Sequence, residues 1–285
     1  MLGFNWRSGI TSVISLVNVA SAAGSFRKQQ MKQTNFPLVF LLWGAGLGAA
    51  AQYAKVSVVF DRLPELFPQA GASVGLAVSL VGFVGIILGV VAGVLVSRIG
   101  YRRTLLAALW GGAVISALQA LTPPFMAFLA LRLLEGMSHL ALVVALPTLI
   151  AQVSAPQHRG FTLTLWGTFF GVAFALLAFL GMPLVARFGV AGLFAAHGAY
   201  MALFALILSA VVRPLPRTEP EELPSLNAIL TKHLTIYRSA SLPAPAFGWL
   251  FYTFCFVAVL TVIPPFIAEA DRTWVMGSMP LASII

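Results

Sequence analysis

Gly93-Val94-Leu95-Val96-Ser97-Arg98-Ile99-Gly100-Tyr101-Arg102-Arg103 joins the end of a glycine-studded apolar run to three arginines set around a glycine. An apolar run long enough to cross a bilayer that stops on basic residues reads as a membrane helix arriving at the cytoplasmic surface. A second apolar run begins at Thr104, so the connection between the two spans is a tight turn. The same reading extends to the whole chain: an all-α, polytopic membrane helix bundle.

Composition agrees. Of 285 residues, 60% are apolar and 9% charged, a balance that soluble domains do not show. The single cysteine, Cys255, has no partner within the chain, so neither a disulfide nor a metal site rests on it. A formal charge of +9 raises nucleic acid as a partner, and the placement of the basic residues decides against it.

Seven apolar runs near 36–59, 73–96, 104–121, 125–152, 161–184, 190–212 and 245–268 are each about long enough to span. With the amino terminus inside, twelve basic residues fall on cytoplasmic segments: Arg7, Arg27, Lys28, Lys32, Arg98, Arg102, Arg103, Arg159, Arg213, Arg217, Lys232 and Arg238. Arg62, Arg187 and Arg272 fall outside. That asymmetry makes the net charge a topogenic signal, with lipid rather than nucleic acid as its partner. It places the chain as a multi-pass protein of the inner (plasma) membrane.

Four segments follow: 1–35, a cytoplasmic amino-terminal stretch; 36–212, a six-helix bundle; 213–244, a cytoplasmic loop; and 245–285, the start of a second bundle that reads as truncated within its second helix. Translation from Met31 is preferred over the weakly apolar run Ile10 to Gly24 as the start. In the loop, Leu226, Ile229, Leu230, Leu234 and Tyr237 recur at helical spacing behind Ser225 as N-cap, which suits either an interfacial helix or a solvated linker.

Lipid tails give helices no hydrophobic reason to associate, so membrane bundles rely on close approach at small residues. Gly85, Gly89 and Gly93 form one stripe of the second span, and Gly44 with Gly48 and Gly167 with Gly171 repeat the spacing in the first and fifth. Ionisable residues within spans need a reason to be there. Arg132, Glu135 and His139 share a narrow arc of the fourth span, and Gln52 and Lys55 share a face of the first with Gly48. Arg132 and Glu135 form either a structural ion pair or a proton-exchanging site beside an aqueous cavity. Lys55 either snorkels outward or lines that cavity. His197 and Tyr200 in the sixth span read mainly as packing residues. No catalytic constellation, metal-ligand cluster or phosphate-cradling loop stands out, so neither an enzyme nor a cofactor is expected.

The arginine turn resembles the signature loop between the second and third helices of major facilitator superfamily transporters, matching at Gly93, Arg98, Gly100, Arg102 and Arg103. Ser97 stands where that motif has an aspartate, which implies a weakened charge pairing at the inner gate. Arg132-Leu133-Leu134-Glu135-Gly136 resembles the family's second motif, whose arginine is associated with proton coupling, with Glu135 in place of a common glutamine. Trp166-Gly167-Thr168-Phe169-Phe170-Gly171 partly resembles the antiporter motif, with Val172 where a proline would follow.

The resemblance covers Phe36 to Ile285. It implies two six-helix halves around a central cavity and alternating access by rocking one against the other. This chain would supply the first half with helix seven and part of helix eight. The function expected is proton-coupled symport of a small solute, an anion if Lys55 and Arg132 both face the cavity. The alternatives are an efflux antiporter, an inert remnant, or a subunit completed by a partner half-bundle. Alone, without the missing half or that partner, the chain is expected not to transport.

Overall fold

The computed structural model describes residues 33–212, 225–239, 241 and 244–282. The Met31 start, the run Ile10 to Gly24 and the charged stretch from Arg213 to Glu222 lie outside them. The described residues form helices and connecting turns, without strands. Five of these helical stretches are long and apolar enough to cross a membrane, as expected of a polytopic bundle.

The first helix, α1 (Phe36–Ser57), starts on Asn35, whose side chain accepts from the Leu38 amide at 3.1 Å, with Pro37 in the first turn. Its beginning is fastened to the far end of the fourth span: the Asn35 amide donates to the Val153 carbonyl at 3.0 Å, and Thr34 Oγ1 accepts from the Ala155 amide at 2.9 Å. Next come α2 (Leu76–Ile99), α3 (Tyr101–Ala120) and α4 (Phe125–Gln152). The second and third spans each come closer to the arginine turn than the hydropathy of their runs implies, so Ser97 and Arg98 are helical and Gly100 alone separates the two. Gly100 adopts φ +95°, ψ 131°, a backbone that side chains resist, and this lets the chain reverse in one residue.

The fifth and sixth spans form a nearly continuous helical path: α5 (Arg159–Gly167), α6 (Phe169–Leu176), a π-helical turn at Leu177–Gly181, and α7 (Met182–Val211). Within α7 the chain bends at Gly189, where φ is +70°. That bend marks the boundary between the two apolar runs. After the segment 213–224 come α8 (Leu226–Arg238), α9 (Ala244–Val262) and α10 (Glu269–Ala282). Ser225 caps α8 as the spacing predicts, accepting from the Ala228 amide at 3.2 Å.

Apolar residues fill three clusters. One lies among α1, α3, α4 and α7 around Leu42, Leu109, Leu142 and Met201. The second closes the end opposite the arginine turn around Leu63, Phe128 and Phe194. The third joins α1 and α6 to the later helices through Phe170, Phe174, Leu260 and Met276. Large apolar side chains such as Ile86, Leu180 and Phe254 face outward, as lipid permits.

The closest helix approaches differ from the expected glycine stripes. Gly44 and Gly48 meet Phe204 and Met201 of α7, and Gly171 is buried. Gly85, Gly89, Gly93 and Gly167 have nothing within 4 Å of where a Cβ would lie. The tight crossing of α2 and α4 is made instead by Gly136, where a Cβ would sit 2.6 Å from the Val81 carbonyl oxygen.

Candidate functional site

Lys55 from α1 and Arg132 and Glu135 from α4 meet in the interior of the bundle, each with no solvent exposure. Lys55 Nζ lies 2.6 Å from Glu135 Oε1, and Arg132 Nη1 pairs with Glu135 Oε2. Burying charges is costly unless they are paired and hydrogen-bonded, and the surroundings supply the bonds. Lys55 donates to Ser116 Oγ and to Gln119 Oε1 of α3, both at 2.7 Å, and stands over the Phe194 ring. Gln119 donates its amide to Glu135 Oε2 at 2.9 Å. Arg132 donates to the Ala77 carbonyl of α2 at 2.6 Å and to the Gln52 carbonyl of α1 at 2.7 Å.

Gln52 donates to Ser138 Oγ at 2.9 Å, and Ser138 Oγ in turn donates to the Ala108 carbonyl at 2.7 Å, joining α1, α4 and α3. Expected mainly to pack, His197 belongs to this network. Its Nε2 faces the Gly48 carbonyl at 3.0 Å, which places the proton there, so Nδ1 accepts from Ser116 at 2.7 Å with Lys55 at 3.3 Å. Tyr200 donates to the Gly44 carbonyl at 2.7 Å.

Lys55 therefore neither snorkels nor lines a cavity; it is enclosed by α1, α3, α4 and α7. Sequence reasoning missed Ser116 and Gln119, although two polar residues three apart on an apolar span are the signal that finds them.

His139 lies one turn beyond Glu135 and outside the charge cluster. Its Nδ1 faces the Ala49 carbonyl at 2.9 Å, and its ring meets Tyr53 edge-on, with centroids 4.9 Å apart. These two line a cavity of about 470 Å³ with Val143, Trp166, Gly167, Phe169, Phe170 and Thr253. Trp166 stacks on Phe169 at 4.2 Å, and Phe170 leans on Tyr53. The cavity thus draws on α1, α4, α5, α6 and α9, and none of its lining residues carries a fixed charge.

At the arginine turn, Arg102 grips the end of α7. Its Nε donates to the Val212 carbonyl at 2.5 Å and its Nη2 to the Ser209 carbonyl at 2.8 Å, satisfying carbonyls that a helix end leaves open. Arg103 is exposed and Arg98 half-buried. Ser97 turns its hydroxyl back to the Val94 carbonyl at 2.9 Å.

Among curated proteins, none matches the chain significantly. The sequence profile described as Major Facilitator Superfamily matches residues 42–285, which take in the charge cluster, the aromatic cavity and the arginine turn. The chain is thus a multi-pass membrane protein of a transporter class rather than an enzyme, and it belongs to the Major Facilitator Superfamily.

Proposed function

We propose that the chain serves proton-coupled symport of a small solute by alternating access, with Glu135 as the group that takes up and releases the proton. The observation that carries this reading is that one carboxylate holds three helices: Glu135 on α4 contacts Lys55 of α1 and Gln119 of α3 as well as Arg132 on its own helix. A change of charge at that atom changes how α4 is held against α1 and α3, which is what coupling a proton to a helix rearrangement requires. Lys55 and Arg132 are enclosed and committed to Glu135, amides and carbonyls. This geometry favours coupling over contact with a solute. The basic-residue asymmetry supports an inner-membrane location with the arginine turn on the cytoplasmic side.

The test is uptake by cells producing the native protein with Glu135→Gln. Solute exchange should persist while uptake driven by a pH gradient is lost; unchanged gradient-driven uptake would remove Glu135 from the proton path. If the single variant accumulates poorly, Lys55→Met/Glu135→Gln removes one charge of each sign, keeps the net charge of the cluster, and carries the same test.

A further inference from the structure

We infer that the aromatic cavity beside His139 is the solute site and that it selects a small, flat, uncharged ring compound bearing a hydrogen-bond donor. This rests on the transport reading above and adds the chemical class of the solute. The volume of about 470 Å³ admits a one- or two-ring molecule. Trp166 and Phe169, nearly parallel at 12°, form one wall, and Phe170 with Tyr53 forms another. Such faces favour stacking with a planar ring.

The polar groups on the lining are short of donors to bind. Thr253 Oγ1 is buried and has no hydrogen-bond partner among the described residues. Leaving such a hydroxyl unpaired is costly, so a ligand towards which the side chain turns to pair is favoured. His139 Nδ1 carries the ring proton and donates to the Ala49 carbonyl, which leaves Nε2 as an acceptor in the neutral ring. With no Lys or Arg among the described residues of the lining, none of them pairs a carboxylate. A ring N–H or O–H answers these acceptors.

The test is equilibrium binding to the full native protein in detergent, with no proton gradient, using indole, N-methylindole, cyclohexanol and benzoate as probes. Indole should bind about tenfold more tightly than each of the others, the scale of one well-made hydrogen bond or one lost stacking face. His139→Phe keeps the ring contact with Tyr53 and removes both nitrogens, so it should bring indole and N-methylindole to similar affinities. Thr253→Val removes an unpartnered hydroxyl without changing shape, so it should weaken indole while leaving thermal stability intact.

The inference is overturned if benzoate or cyclohexanol binds as well as indole, if no probe binds, or if both variants leave the indole preference unchanged. Those failures leave the role of Glu135 standing. Conversely, Glu135→Gln with unchanged gradient-driven uptake would end the coupling reading and leave the indole preference intact.

Discussion

Glu135 is the one acidic side chain between two cations, and this charge count orders the consequences of removing each member. Without Lys55, Arg132 and Glu135 still balance; without Arg132, Lys55 and Glu135 do. Without Glu135, two enclosed cations face each other across an amide. Removing one partner of a buried ion pair typically costs about 3–5 kcal/mol, because a stranded charge remains. Glu135→Gln is therefore expected to lose stability on that scale, with Lys55→Met and Arg132→Met each losing less. Thermal unfolding of the detergent-solubilised protein checks the order, and a Lys55→Met variant as unstable as Glu135→Gln would contradict it. The same count explains why the network recruits Ser116, Gln119 and the Ala77 and Gln52 carbonyls: two cations carry more donors than one carboxylate can accept.

Among the helices, a few glycines decide how closely neighbours approach. A Cβ at Gly136 would press on backbone of α2, which cannot swing aside, whereas one at Gly89 meets nothing within 4 Å. Gly136→Ala is therefore expected to lower the unfolding temperature by several degrees. Gly89→Ala should leave it unchanged or raise it, since alanine is the better helix former by about 1 kcal/mol. Equal effects on unfolding temperature would mean that α2 and α4 do not cross at Gly136. The spans were legible because runs such as Phe36 to Ser57 and Phe125 to Gln152 announce themselves by length and apolarity, and the arginine turn by its glycine. The crossing was not legible, because a four-residue spacing says that small residues share a face but not which helix that face meets. The charge cluster was half legible for the same reason. Arg132 and Glu135 lie on one helix at helical spacing, while Ser116, Gln119 and His197 join them only through packing of α3 and α7. The cavity was less legible still, since Thr253 lies far along the chain from Tyr53 and only the fold brings them together.

Across the molecule, the two ends of the bundle are fastened differently. At the arginine turn, Arg102 ties α3 to the end of α7. At the opposite end, Arg272 of α10 reaches Asp61 in the turn after α1 at 3.6 Å, and Gly277 receives the Phe179 ring from the π-helical turn. The pair is half-buried and loose at 3.6 Å, so its importance lies in what it joins rather than in how strongly it holds. It connects the turn after α1 to the helix that follows α9, and under the alternating-access reading proposed above these two parts would separate at one end while closing at the other. Asp61→Cys with Arg272→Cys, in a Cys255→Ser background, places two thiols across that junction. A short methanethiosulfonate cross-linker spanning them should stop solute transport by the native protein, and a reductant should restore it. Each single-cysteine variant treated in the same way should continue to transport. Undiminished transport with the cross-link in place would mean that the junction stays closed through the whole cycle, so that the first bundle and α10 move as one body and the rocking interface lies elsewhere.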